Sequence, residues 1–261
     1  MSEDKQTVRA VDRALHILKS FTFEKRQMSL SEICKISELP KTTVFRLLTA
    51  LEEQGFVVKD NMTQNYKLGA LLFRLGSIVS SDLEIKKISL PILEELAEKT
   101  KETLNINVVQ NDVRVCVVKV EGSHDLRQFI EIGRDLPLHK GASGKVLLAY
   151  LPKEKQEQIV ESLRDDLGKS KEDFIAELDK IRKAGFAASI DERVLGAAAV
   201  SAPIFDCMGN LVGGLTISGA SVRFTEKRVK ELIELVVEAS GRISKALGYE
   251  GGGGHGRENG C

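Results

Sequence analysis

Between residues 29 and 68 the spacing of apolar positions changes twice. Leu30, Ile33, Cys34 and Ile36 recur at the i, i+3, i+4 intervals of a short helix with one face in a core, and Ser29 followed by Glu32 is a capping box that starts it. Pro40 then discourages helix at Leu39 and pre-sets φ for a new first turn. Val44, Leu47, Leu48 and Leu51 form the inward stripe of a second helix, which should stop at Gly55, a residue free to take the left-handed cap conformation. Beyond it, Phe56-Val57-Val58 and Tyr66-Lys67-Leu68 are β-prone runs flanking a polar turn at residues 60–65, the pattern of a hairpin. Upstream, Val8, Val11, Ala14, Leu15, Leu18 and Phe21 mark a further helix able to pack behind these elements. Three helices and a hairpin in this order read as a winged helix-turn-helix over residues 1–68.

That pattern leaves Lys41, Thr42, Thr43, Phe45, Arg46 and Thr49 on the outer face of the second helix, near the end that docks in a major groove. Arg46 suits a bidentate contact to guanine, and a threonine methyl or Phe45 suits a thymine methyl. The hairpin would bring Lys59, Gln64 and Lys67 to the sugar-phosphate backbone. The plainer alternative is an ordinary solvated helix face, with Phe45 packed against the hairpin.

Residues 69–80 are helical in pattern and apolar on more than one side, so a linker helix over 69–82 would need cover from another subunit or an adjoining domain. A second helix runs from about Leu83 to Lys99 with Pro91 inside it. From Leu104 the period becomes two: Leu104, Ile106 and Val108 alternate with polar residues, Asn111-Asp112 supplies a turn, and Val113 to Val120 returns as a paired strand. Phe129, Ile130 and Ile132 suggest another strand ending at Gly133. Helices follow at about 142–150, 153–163 and 171–184, the last opened by Ser170 and closed by Gly185. Ala198 to Phe205 and Leu211 to Ser218 form a hairpin, and Thr225 caps a final helix. Antiparallel strands with helices inserted and appended give an α+β domain over residues 83–249. The glycine-rich stretch that follows opens a polar tail, 250–261, expected to be disordered.

Composition narrows the function. The 261-residue chain is 42% hydrophobic and carries no net charge, which argues against a surface devoted to nucleic acid. The charge is unevenly shared, however: residues 1–75 hold a net +3 and the rest a net −3, which supports a local DNA footprint. No apolar run is long enough to span a bilayer and the start lacks the layout of a secretion signal, so a cytoplasmic protein is expected. Cys34, Cys116, Cys207 and Cys261 are scattered without CxxC spacing and the histidines show no ligand pairing, so reduced thiols and no metal or other cofactor are expected.

Three motifs in order carry a family resemblance: 39-LPKTTVFRLL-48 in the second helix of the DNA-reading part, 136-LPLHKGASGK-145 in the middle, and 213-GGLTISG-219 near the end. Together they make the chain similar to the IclR family of bacterial transcriptional regulators over about residues 8–248. The resemblance implies a winged helix-turn-helix joined by a linker helix to a GAF-like α/β effector-binding domain with a mainly antiparallel sheet. It also implies assembly as a homodimer or dimer of dimers. By the same resemblance, a small organic or aromatic acid would lie against Ala142 and Ser143 and the two late strands, at Ala199, Thr216 and Ser218. Asp191 and Glu192 are the nearest candidates for an acidic pocket residue of the family, and Ala199 stands where the family often has cysteine.

From chemistry alone, backbone N–H groups beside Gly141 at a helix start can hold an anion, oriented by the hydroxyls of Ser143, Thr216 and Ser218. The plainer alternative is that these small residues simply permit close packing. Catalysis is disfavoured: the GASGK stretch lacks the leading glycine and trailing Ser/Thr of a phosphate loop, having His139 and Val146 there, and no nucleophile-elbow pattern surrounds Ser143 or Cys207. The expectation is a ligand-responsive regulator, a repressor of a catabolic operon that reads an operator inverted repeat in double-stranded DNA. A DNA-binding protein whose second domain only oligomerises is the alternative.

Overall fold

The computed structural model describes residues 8–22, 24–82, 84–125 and 130–250, and the chain divides into two compact units, Met1–Asp82 and Leu83–Cys261. The tail expected to be disordered lies, from residue 251, outside the described residues.

In the first unit, α1 (Arg9–Lys19), β1 (Gln27–Met28), α2 (Leu30–Ser37), α3 (Lys41–Glu53), β2 (Val57–Lys59), β3 (Tyr66–Leu68) and α4 (Ala70–Asp82) follow in order. The capping box forms as its spacing predicts: the Ser29 side chain accepts from the Glu32 N–H and the Glu32 carboxylate accepts from the Ser29 N–H at 2.8 Å. Three-stranded order β1-β3-β2 makes the wing, and β1, whose two residues carry no strand pattern of their own, is defined only by its pairing with β3. Ile17, Met28, Ile33, Val44, Leu48, Val57 and Tyr66 close the core.

One sequence expectation changes here. Val8, Val11 and Leu15 do not face that core but are 67%, 53% and 46% exposed. α1 has two apolar faces, and the inward one runs through Ile17 to Phe21, with Leu18 beside them.

The second unit contains α5 (Glu84–Thr100), β4 (Thr103–Gln110), β5 (Val113–Val120), β6 (Asp135–Leu136), α6 (Gly141–Tyr150), α7 (Lys153–Ser162), α8 (Lys171–Ala184), β7 (Ala187–Ile190), β8 (Ala197–Phe205), β9 (Leu211–Ala220) and α9 (Glu226–Ala246). The sheet is antiparallel throughout, in the order β6-β5-β4-β9-β8-β7. Asn111 and Asp112 both take left-handed φ, the geometry of a tight hairpin turn whose twist matches its strands. Ser170 caps α8 and Gly185, at φ +80°, ends it.

The expected strand at 129–132 is not present. Residues 130–134 turn at Gly133, whose N–H donates to the Cys116 carbonyl, and pairing with β5 resumes only at Asp135–Leu136; Phe129 lies outside the described residues. Cys34 and Cys116 are free thiols, whereas Cys207, expected to be reduced, is disulfide-bonded.

The period-two alternation gives the sheet two different faces. Leu104, Ile106, Val200, Leu215 and Ile217 pack with Leu93 of α5 and Leu232, Val236 and Ile243 of α9. The opposite face meets α6, itself packed on α8, through a second core of Leu147, Leu148, Phe174 and Leu178. At the end of β9, a Cβ on Gly219 would collide with the buried Glu102 carboxylate, which binds Arg223 through two hydrogen bonds of 2.7 and 2.6 Å.

Candidate functional site

Two places combine exposure or cavity with unspent polar chemistry. On the first unit, α3 buries Val44 and Leu48 and therefore turns Lys41, Thr42, Arg46 and Thr49 to solvent, with Thr43 half-buried. Phe45 is 51% exposed rather than tucked under the hairpin. The Thr49 hydroxyl donates to the Phe45 carbonyl, leaving its methyl outward. In the wing, the Asp60 carboxylate accepts from the N–H groups of Met62 and Thr63, and these bonds hold its pKa below the ordinary carboxylate value. Gln64, at φ +60°, donates its amide to the Asn61 carbonyl and thus serves the turn. Lys59 sits 5.6 Å from the centre of the Tyr66 ring, and Lys67 is exposed on β3. Of the residues singled out from the sequence, the structure thus presents one continuous helix face and two wing lysines, with Gln64 occupied locally.

On the second unit, the sheet face that meets α6 opens into a small cavity with about 480 Å³ of empty space including its mouth. Gly141, Ala142, Ser143, Ala199, Thr216 and Ser218, singled out from the sequence, all line it. Asp191 and Glu192 do not. The Asp191 carboxylate instead accepts from the Gly196 N–H and shapes the turn between β7 and β8. Glu192 pairs with the buried Lys145 at 2.5 Å, and Lys145 also binds Glu177 at 2.7 Å. Both acids fail to reach the cavity because they tie down the loop that borders it.

Hydrogen bonding also separates the hydroxyls. Thr216 shares a bond with Ser201, whose own proton goes to the Leu215 carbonyl, so the Thr216 proton is spent on Ser201; Ser218 donates to the Thr103 carbonyl. The Ala142 N–H is likewise taken by the Ser189 hydroxyl. Ser143 Oγ, by contrast, is buried without a hydrogen-bond partner among the described residues.

Residues that sequence reasoning passed over supply the remaining donors. Asn105 and Asn107 of β4, Arg114 of β5, and Ser189 and Arg193 around β7 also line the cavity. The Asn107 side-chain amide donates to Asn105 Oδ1, and Asn105 Nδ2 is left without a partner among the described residues, as is Arg114 Nε. Arg114 is 5% exposed, and burial together with the nearby Arg193 charge lowers its pKa to about 10, so it stays cationic at neutral pH. No aspartate or glutamate is among the described lining residues. A usable signal existed: a central strand covered on both faces should be apolar on both, and Asn105, Asn107, Thr216 and Ser218 break that rule on one face of adjacent strands. His139, buried with its pKa lowered by burial, lies beside α6 but does not line the cavity.

A winged helix with a cationic recognition face, followed by a unit enclosing a polar, cation-lined cavity, defines a DNA-binding transcriptional regulator. Residues 10–61 match the IclR helix-turn-helix domain and residues 78–245 match the C-terminal domain of bacterial IclR transcriptional regulators, and the chain belongs to the IclR family. It is 32% identical over 246 residues to the HTH-type transcriptional regulator KipR of Bacillus subtilis strain 168, covering 92% of this chain and 98% of that one. Among solved structures it resembles Thermotoga maritima IclR, with a TM-score of 0.71 and 29% identity over 93% of this chain and all of the other. An IclR homolog of Microbacterium hydrocarbonoxydans complexed with 4-hydroxybenzoate shares the fold at a TM-score of 0.76 and 19% identity, covering 91% and 98% of the two chains. The relatives are regulators, not enzymes. No helix among the described residues is long and apolar enough to cross a membrane.

Proposed function

We propose that the protein is a ligand-responsive repressor acting in the cytoplasm, in which residues 1–68 bind an operator inverted repeat and residues 83–249 bind a small organic acid. Lys41, Thr42, Thr43 and Arg46 enter the major groove, with Phe45 and Thr49 against thymine methyls, and Lys59 and Lys67 hold the backbone. An inverted repeat requires two recognition helices, and the exposed apolar faces of α1 (Val8, Val11, Leu15) and α4 (Phe73) favour a dimer or dimer of dimers, with α4 as the linker helix over 69–82.

The observation that carries the acid sensor is Arg114: a buried guanidinium with an unpartnered Nε, facing a cavity with no carboxylate among its described lining residues. A buried cation without a counter-ion is costly, and a ligand carboxylate relieves that cost. The 4-hydroxybenzoate in the Microbacterium homolog is an anion of that class. Ser143 and Asn105 supply further donors, while Thr216 and Ser218 shape the wall. The test is binding of the full chain to DNA from its own upstream region, at fixed salt, with organic and aromatic acids titrated in. A ligand-dependent change in affinity supports the sensor, because only differential binding to two states can shift DNA affinity. Tight DNA binding indifferent to all of them would favour the oligomerisation-only alternative.

A further inference from the structure

The cavity holds a second cation, and its placement specifies the ligand more narrowly. Arg193 lies in the loop between β7 and β8, while Arg114 rises from β5 on the floor. Neither has an ion pair or side-chain hydrogen bond among the described residues. The nearby acids are committed elsewhere: Glu192 to Lys145, Asp191 to the Gly196 N–H, and Glu131 to Arg134. The loop carrying Arg193 is fixed, since Lys145 grips Glu192 from α6 and the Asp191 N–H donates to the Ala197 carbonyl. The two arginines therefore stand on anchored backbone with no counter-ion among the described residues, and burial lowers the pKa of both, with Arg193 contributing to the effect on Arg114.

A single carboxylate supplies one negative charge against these two cations. Resting on the acid-sensor reading above, we infer that the effector carries two separate anionic groups on a short carbon skeleton. It is a dicarboxylate, one end bound by Arg114 with Asn105 and Ser143, the other by Arg193. Leu136, Val194 and Ala199 also line the cavity and give a methylene chain apolar contact, while the Thr216 and Ser218 hydroxyls are already spent on protein partners.

The test is calorimetry on the full-length protein at constant ionic strength, comparing glutarate and adipate with butyrate and hexanoate, and with inorganic phosphate and glycerol phosphate. The diacids are expected to bind about tenfold or more tightly than the monoacids of like skeleton, since a second charge-assisted contact is worth at least that factor. Arg193→Gln, a change on a surface loop, should bring diacid affinity down to the monoacid level and leave monoacid affinity unmoved. Arg114→Gln should weaken both. Equal affinity for monoacids and diacids in the parent protein, or diacid affinity unaltered by Arg193→Gln, overturns the two-anion inference while leaving the acid sensor standing. Tighter binding of phosphate or its ester than of any diacid also overturns it, in favour of one doubly charged group. Failure of every acid to bind overturns the sensor reading itself.

Discussion

Replacing Lys145 by methionine keeps the aliphatic stem that packs in α6 but removes the charge that joins three elements. The Lys145 side chain is 8% exposed and holds Glu177 and Glu192, which are 28% and 31% exposed. Removing one partner of a fully buried pair costs about 3–5 kcal/mol, and an exposed pair is worth about 1 or less. Here the acids remain partly solvated and Glu177 keeps Lys169 at 2.8 Å, so the expected loss for the second unit is about 1.5–2.5 kcal/mol. Urea denaturation followed by circular dichroism measures it as a lower midpoint with unchanged slope. The pH dependence adds a second check. Burial pushes the Glu177 pKa up, but hydrogen bonds from Lys145 and Lys169 outweigh it and hold the group below its ordinary value of 4.5. A depressed carboxylate contributes stability that is complete above its unfolded pKa and lost as pH falls through its folded pKa. The parent protein should therefore lose this contribution below about pH 4.5, and Lys145→Met should shrink that acid limb to the part that Lys169 maintains. A midpoint and an acid limb both unchanged would refute the view that Lys145 ties α6 to Glu177 of α8 and to the loop between β7 and β8.

Arg46→Ala should lower operator affinity by about 1–3 kcal/mol and relax preference at one base pair, read by titration of labelled DNA; an unchanged footprint would remove Arg46 from base reading. Ser29→Ala deletes one half of the capping box and should cost the first unit about 1 kcal/mol, measured by chemical denaturation, with Ser29→Asp restoring most of it. Gly144→Ala places a Cβ 2.5 Å from the Leu138 carbonyl oxygen, so α6 must shift, at a cost of about 1–3 kcal/mol that thermal melts would show.

What could be seen in the sequence was mostly local chemistry. The Ser29–Glu32 box, the Asn111-Asp112 turn, the Ser170 cap and Gly185 each act through neighbours a few residues away, and each forms as its pattern implies. Small residues of the cavity were legible for a similar reason, because α6 and β9 carry them in distinctive motifs. Features that depend on distant partners were not. β1 and β7 are short edge strands created by pairing with β3 and β8. Arg114 is not distinguished within the Val113–Val120 strand, because what encloses it, β6 and the loop near Arg193, comes from positions about twenty to eighty residues later. Asp191 and Glu192 were expected at the ligand because of their chain position; the competing backbone N–H of Gly196 and the ammonium of Lys145 claim them first. On α1, two apolar stripes coexist, and periodicity alone does not say which one the core takes.

The closeness of Gly219 to Glu102 carries a consequence for how this chain can change over time. A methyl at 219 has no room while the Glu102 carboxylate remains clamped by Arg223, so the three positions are not free to vary one by one. A lineage that acquires a side chain at 219 should do so only after, or together with, a shortened or neutral residue at 102. The closing glycine of the 213–219 motif is thus one member of a linked triplet, and its persistence in descendants would track a salt bridge whose carboxylate lies more than one hundred residues away in sequence.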